Sequence, residues 1–378
     1  MAKPRLCLIF ESIGFTSGIA KVAYQDVTLA LRAGYEVTVV AQHLDPSLHG
    51  AVEWLRLYVP PRLFLLKWAT ANHFMKKALG ERRFDVIHSH QPQGAAMANV
   101  FTCHFLTRIA YERNCLETGK SISARIVRAQ QQGVLHLEDR CYRQLAPSTQ
   151  VVFCSDLLRE EFQRLYGPPP RQVTVQNACM PAAAISLDAR RSAKRNYFGQ
   201  DPPSPVVGFL GGTDERKGYP AMIRALRQDR SIYALIGGPG TQNGDVTEFD
   251  NRVRRVGLVR DIDQFYAACD VIAVPSVFDP CPMVVLEAVA RNIPVIATGG
   301  VGNLAEILRC EAGLEWNPPD SLGNLIQKIQ RRGDAFVQGA RRMAHELSEA
   351  RRAEKMLAVY ESALGQASPR LEPLAVAS

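Results

Sequence analysis

The sequence contains no apolar run approaching the ~18 residues of a membrane-spanning helix, so no crossing segment is expected. The opening MAKPRLCLIFESIG begins basic, but only five apolar residues precede Glu11, which suits a first buried strand rather than a secretory leader. No C-x-x-C pair occurs among the nine cysteines, an odd number, and several lie inside apolar runs as small buried hydrophobes do. A reduced, cytoplasmic setting follows, with no case for a structural zinc. No G-x-G-x-x-G follows a strand, which disfavours a nicotinamide dehydrogenase, and no G-x-S-x-G elbow marks an acyl hydrolase. Recognition-helix, zinc-finger and RNP patterns are also missing, so nucleic acid is not expected as a partner.

What is present is ordinary for a globular chain: 378 residues, 47% hydrophobic and 22% charged. At about 100–200 residues per domain, two domains are expected. The net charge of +8 is concentrated in residues 56–143, which hold 14 basic and 6 acidic side chains. Those charges are interleaved with Trp54, Leu57, Tyr58, Leu63, Phe64, Leu65, Leu66, Trp68, Phe74 and Met75. Two readings stand: a surface that meets an anionic bilayer, or core residues carrying merely solvated charges.

Short Val- and Ile-rich runs alternate with segments of helical spacing, the pattern of parallel sheets wrapped by helices. Strand candidates include RLCLIF (5–10), EVTVVAQ (36–42), DVIHSH (85–90), MANVFTCH (97–104) and QVTVQN (172–177) in the first half. PVVGFLG (205–211), SIYALIGG (231–238), RVRRVGLV (252–259), DVIAVPS (270–276) and PVIAT (294–298) follow in the second. The stretch 178–205, rich in Ala, Pro and charge, reads as a linker. The expected architecture is α/β, two doubly wound parallel-sheet domains facing across a cleft, with ligands at the carboxyl ends of the strands. The boundaries expected are 1–180 and 181–352. A last helix is expected over roughly 346–365, its part from 353 to 365 open to crossing back to the first domain, and then a frayed tail over 366–378.

Two stretches carry chemistry. In GFLGGTDERKGYPAMIRAL (208–226), Gly211 and Gly212 turn the chain after a strand, and Arg216 and Lys217 precede an amphipathic helix. Adjacent cations beside a permissive glycine suit a diphosphate, although a solvated turn with two surface charges has the same composition. In PSVFDPCPMVVLEAVARNIPVIAT (275–298), Asp279 lies in a loop, Pro282 sits where the first helical position would be, and Glu287 falls about one turn into the helix. Free N–H groups near Met283 and Val284 would form an anion site. Asp279 and Glu287, apart from these roles, could be a turn residue and an exposed helix charge.

The order of Arg216-Lys217-Gly218, GGPG (237–240), VIAVPS (271–276) and Asp279…Glu287 resembles the retaining glycosyltransferases of family 4. GYEVTVVA (34–41), FDVIHSH (84–90), TCH (102–104) and Asn177 extend the resemblance through the first half, with a pattern similar to the lipopolysaccharide-core branch. It implies the GT-B fold, two Rossmann-like domains, and transfer of a sugar from a nucleoside-diphosphate sugar to an acceptor hydroxyl. Carried over residue by residue, Arg216 and Lys217 bind the donor diphosphate, Asp279 the sugar hydroxyls and Glu287 the ribose. His104 lies near the transferred sugar, and Gly18, Gly211, Gly238, Pro282, Met283 and Val284 belong to the donor site. No cofactor or metal is implied. The acceptor would be a glycan or a glycolipid, and the protein cytoplasmic, peripheral on the inner face of the membrane. The chain departs from the family pattern at Asp279, usually Glu; at Gly212, usually basic; and at Ile19 in Ser17-Gly18-Ile19-Ala20-Lys21, usually a second glycine.

Other motifs rank lower. Asp261-Ile262-Asp263 matches a metal-binding string, yet it stands where a carboxylate would cap a helix. His88 and His90 share a strand face with no third ligand spaced beside them, which favours packing. A non-catalytic sugar-nucleotide-binding protein and a nucleotide-sugar epimerase are the alternatives. A phosphorylase is disfavoured by the absence of a lysine placed to carry pyridoxal phosphate.

Overall fold

The computed structural model describes residues 3–58, 64–113, 122–203, 205–243, 249–318 and 320–364. The chain forms two compact units. The first contains the residues up to Ile109, the stretch ending at Gln176 and the chain from Arg352 onward; the second runs from Asn177 to Arg351 with a short segment beginning at Ala110.

In the first unit, seven parallel strands form one sheet: β1 (Arg5–Ile9), β2 (Glu36–Ala41), β3 (Glu53–Arg56), β4 (Val86–Ser89), β5 (Val100–Cys103), β6 (Gln150–Phe153) and β7 (Gln172–Thr174). The order is β3-β2-β1-β4-β5-β6-β7. In the second unit, six strands repeat the scheme: β8 (Val206–Leu210), β9 (Tyr233–Gly237), β10 (Val253–Gly257), β11 (Val271–Val274), β12 (Val295–Ala297) and β13 (Gly313–Glu315). Their order is β10-β9-β8-β11-β12-β13. Each sheet therefore reverses direction beside its first strand, between β1 and β4 and between β8 and β11. That is where doubly wound folds place ligands.

Local sequence explains the helices that matter. Helix α1 (Gly18–Arg32) starts where Ser17 caps it, the hydroxyl accepting from the Ala20 N–H at 3.2 Å. Its buried face is Ala20, Ala23, Val27 and Ala30, and Asp26 shares that face. Helix α2 (Phe64–Leu79) carries Lys76 and Lys77 in its last turn, which suits the negative end of the dipole. Helix α3 (Leu187–Phe198) corrects the expected linker: Ser186 caps its start and left-handed Gly199 its end, signals hidden in a composition dominated by Ala and charge. Helices α4 (Tyr219–Gln228) and α5 (Met283–Ala290) follow β8 and the loop after β11.

The last helix expected over roughly 346–365 is α6 (Glu349–Leu364), set off from the helix Gly333–Glu346 by Leu347 and Ser348. Met356, Val359, Tyr360 and Ala363 of α6 pack with Leu6, Leu8, Val39 and Val86 in the core of the first unit. The expected boundary at 180 shifts to Asn177, because the Asn177 amide donates to the Cys281 carbonyl and the Cys179 N–H to the Leu347 carbonyl at 2.7 Å. The strand expected over 97–104 shortens to Val100–Cys103, since a 3-10 turn occupies Pro92–Met97. The expected tail over 366–378 lies outside the described residues.

The basic, apolar stretch divides. Leu57 and Met75 are core, whereas Tyr58 is 70% and Leu66 45% exposed. Leu63 and the side chains of Phe64 and Leu65 lie outside the described residues. Among the described residues no disulfide joins the cysteines.

The first unit buries His88 and His90 and half-buries His104. Burial pushes His88 down to about 4 and His104 down to about 3, and holds His90 well below its ordinary value. Glu138 runs the other way, pushed up to about 7 by burial. The unfolded histidines titrate near 6.5. Below that pH the unfolded chain takes up protons that the folded chain does not, so stability falls as pH falls. Glu138 offsets one of the three. Thermal melts are expected to lose stability steadily between pH 7 and 5, by more than about 1 kcal/mol per pH unit. A melting temperature flat or rising across that window would contradict the burial of these rings.

Candidate functional site

The second unit builds its site at the reversal between β8 and β11. After β8 the chain turns through Gly211 and Gly212, whose N–H groups both donate to the Gly237 carbonyl, at 3.2 and 3.0 Å. This brings the β8 and β9 loops backbone to backbone. Gly238, with φ +116°, leaves no room for a side chain, because a Cβ there would lie 2.3 Å from the Gly212 nitrogen. Gly218 then caps α4 at φ +83°, and a Cβ there would lie 1.9 Å from the Pro275 carbonyl oxygen. The glycine thus lets the Arg216-Lys217 segment press against the loop after β11.

Those contacts place the cations. The Val277 N–H donates to the Arg216 carbonyl at 2.9 Å, and the Arg216 guanidinium donates to the Phe278 carbonyl at 3.2 Å. Lys217 Nζ pairs with Asp279 Oδ2 at 2.5 Å. Asp279 is 7% exposed, and its main chain is pinned by its N–H to the Gly300 carbonyl and its carbonyl from the Gly302 N–H. An ammonium has three donors, so Lys217 keeps hydrogen-bonding capacity after bonding one carboxylate oxygen.

Pro282 is the N-cap of α5 rather than its first helical residue; the helix begins at Met283, with Met283 and Val284 half-buried in its first turn. The first N–H groups of such a turn have no intrahelical acceptor, the arrangement that suits an anion, and Val284 shares a cavity with Lys217. Leu210, Lys217, Ser276, Asp279, Pro282 and Val284 line one small cavity. A roomier pocket, lined by Arg190, Lys194, Asp270, Ile326 and Ile329, includes Asp270 and Val271 at the amino end of β11, the wrong end of the strand for the ligand of a doubly wound fold.

Glu287 lies one turn into α5, half-buried, and accepts from the Tyr266 hydroxyl at 2.9 Å. Burial and the neighbouring Glu287 raise the Tyr266 phenol well above its ordinary value, so it stays protonated and donates. Arg291 stacks over the Tyr266 ring at 4.9 Å and bonds the Glu287 carbonyl. Sequence reasoning passed over Tyr266 and Ser276. Ser276 belongs to the quoted VIAVPS run, and its buried Oγ has no hydrogen-bond partner among the described residues.

In the first unit, Gly18 opens α1 at the carboxyl end of β1, and His104 follows β5 directly. His104 Nε2 meets His90 Nδ1 at 2.9 Å. His88 and His90 pack ring on ring at 4.2 Å, and Asp26, distant in sequence, supplies a carboxylate beside them that residue spacing did not reveal. Asp261 caps the helix Ile262–Ala268 by accepting from Gln264 N–H, and Asp263 pairs with Arg291, so this string has structural work.

Two doubly wound parallel sheets, each reversing beside its first strand, are the architecture of the GT-B glycosyltransferase fold. Residues 16–178 match the model of Glycosyltransferase Family 4, and residues 204–332 match that of Glycosyl transferases group 1. Together the two matches take in well over half of the chain, each in its own half, and the chain belongs to the family 4 glycosyltransferases. It is 26% identical over 328 residues to an uncharacterized glycosyltransferase of Methanocaldococcus jannaschii, covering 79% of this chain and 81% of that one. Its fold is similar to that of WaaG, a glycosyltransferase involved in lipopolysaccharide biosynthesis (TM-score 0.71, 16% identity, 95% and 98% of the two chains). It is similar also to Anabaena HepE in complex with UDP-glucose (TM-score 0.67, 18% identity, 95% and 99%). No helix among the described residues is long and apolar enough to cross a membrane.

Gly218→Ala combines left-handed backbone with a clash against main chain, and is expected to cost more than about 2 kcal/mol. A thermal melt reads this directly. A variant melting with the wild type would show that the β8 loop does not depend on this close approach.

Proposed function

We propose that this glycosyltransferase moves a sugar from a nucleoside-diphosphate sugar to an acceptor hydroxyl with retention of anomeric configuration. The observation that carries the reading is the placement of Arg216 and the Lys217–Asp279 pair at the β8/β11 reversal, beside the first turn of α5. In the reaction the bond from the anomeric carbon to the diphosphate oxygen breaks, a bond to the acceptor oxygen forms, and negative charge grows on the leaving diphosphate, which takes the proton of the acceptor hydroxyl. Arg216, Lys217 and the N–H groups at Met283 and Val284 take up that charge, an effect that is typically worth ~10²–10³ in turnover for one donor. Two cations and a helix terminus supply the charge that a divalent metal would otherwise bring, so turnover is expected to survive a chelator. Asp279 holds sugar hydroxyls while it orients Lys217. Glu287, steadied by Tyr266, binds the ribose. Gly18 lets the start of α1 come close to substrate, Gly211 and Gly238 shape the donor loop, and His104 contacts the transferred sugar.

The acceptor reading follows from charge. The excess of basic side chains in residues 56–143, with exposed Tyr58 and Leu66, suits an anionic surface, at about 1 kcal/mol per Lys or Arg near the lipid. We therefore place the acceptor among cell-envelope glycolipids of lipopolysaccharide type, and the protein on the cytoplasmic face of the membrane. Sedimentation with phosphatidylglycerol vesicles at low salt, but not with phosphatidylcholine vesicles, is the expected result. Equal recovery in both supernatants would favour a soluble glycan.

Thermal shifts with UDP, GDP and ADP, each with and without EDTA, test the donor site. At ~100 times its dissociation constant a nucleotide should stabilise the second unit by about 2.7 kcal/mol, or on the order of 5–10 °C. The shift should survive EDTA and collapse in Lys217→Ala and Glu287→Ala. No shift with any nucleotide would refute the donor reading, and a shift erased by EDTA would refute its metal independence.

A further inference from the structure

A chain of buried side chains in the first unit ends at His104. Arg352 on α6 donates two hydrogen bonds to Asp26 on α1, Nη1 to Oδ1 at 2.6 Å and Nη2 to Oδ2 at 2.9 Å. Asp26 is fully buried and Arg352 nearly so, and a carboxylate that takes both arms of a guanidinium serves as an acceptor. His90 Nε2, also buried, stands 3.4 Å from Asp26 Oδ2 and makes no hydrogen bond among the described residues. A nitrogen lone pair facing that carboxylate would be repelled, so Nε2 is the protonated nitrogen of His90. His90 Nδ1 is then an acceptor and takes the Nε2–H of His104 across their 2.9 Å contact. His104 Nδ1 is left as a lone pair, with no hydrogen-bond partner among the described residues.

The rest of the cluster fixes the geometry without fixing the tautomer. His88 bonds the Tyr360 hydroxyl through Nδ1 at 2.9 Å and the Thr102 hydroxyl through Nε2 at 2.7 Å, and a hydroxyl can give or accept. Tyr360, like Arg352, comes from α6, so the last helix holds both members of the histidine pair on β4 and its following residue. Asp26, His88 and His90 offer ligand atoms within 4.8 Å of one another, the spacing of a metal site. Their lone pairs are already engaged, and a cation there would sit against the Arg352 guanidinium. The arrangement is a relay.

We propose that Asp26, acting through His90, is a positioning residue that holds His104 with its hydrogen on Nε2, so that Nδ1 meets a hydroxyl of the transferred sugar as a hydrogen-bond acceptor. This rests on the reading that His104 contacts that sugar. Burial, opposed by Asp26, keeps the ring neutral through the physiological range, so acceptor character persists there.

The test uses the full chain with 15N-labelled histidine and long-range 1H–15N correlation, with His104 identified by the signal lost in His104→Gln. The expected spectrum shows His104 carrying hydrogen on Nε2 and none on Nδ1, unchanged from pH 5.5 to 8. In Asp26→Asn, whose side chain can donate as well as accept, the opposite tautomer should appear. Its kcat should fall at least ~10-fold, while KM for the donor and the nucleotide thermal shift stay near wild type, as the second unit is untouched. A wild-type His104 protonated on Nδ1 overturns the proposal, and does so even where Asp26→Asn fails to fold. So does a folded Asp26→Asn with an unchanged tautomer, or with a changed tautomer and full kcat. The spectrum needs no turnover: the expected tautomer in a protein that transfers no sugar would sink the transferase reading alone and leave the relay standing.

Discussion

Everything functional in this chain depends on one constraint of parallel sheets. When the first strand lies in the interior of the sheet, the connections on its two sides run to opposite faces, and the loops at the reversal separate. The second unit uses that opening between β8 and β11 for Arg216, Lys217, Asp279 and the start of α5. The first unit places Gly18 and His90 at the carboxyl ends of the corresponding pair, β1 and β4. One topological device, used twice, holds the residues of the proposed donor site and His90 of the histidine relay.

The two openings are filled by opposite electrostatic solutions. In the second unit, cations stand partly exposed, Lys217 already bonded to Asp279 and Arg216 to the Phe278 carbonyl. Their partners hold them in place before a ligand arrives, the condition for binding a charged ligand without reorganisation. In the first unit Asp26 and Arg352 pair with each other in the core. What they leave to His104 is orientation rather than charge. Breaking such a pair strands a buried charge and costs about 3–5 kcal/mol, so α6 is tied to α1 by the same contact that orders the relay.

Much of this was legible in the sequence because it is local. The Val- and Ile-rich runs marked the strands of both sheets except the edge strands β3 and β13, and the order of Arg216, Lys217, Asp279 and Glu287 marked the residues proposed for the donor site. What stayed hidden joins residues far apart in the chain. Tyr266 and Glu287 belong to different helices, and Asp26 and Arg352 are separated by 326 positions, so no spacing rule connects them. One signal was available: Asp26 falls in phase with Ala20, Ala23, Val27 and Ala30, a carboxylate on the apolar face of a helix. A charge so placed demands a buried partner. Helix α3 was missed for another reason, since a run of Ala, Arg and Lys bounded by prolines has the composition of a linker, and only Ser186 and Gly199 at its ends reveal a helix.

The most direct test is a crystal structure of the protein with a hydrolysis-resistant nucleoside-diphosphate sugar. The account predicts the diphosphate within hydrogen-bond distance of Arg216, Lys217 and the main-chain N–H groups of Met283 or Val284, and the ribose on Glu287. A diphosphate bound anywhere else, including the pocket lined by Arg190 and Lys194, would contradict it.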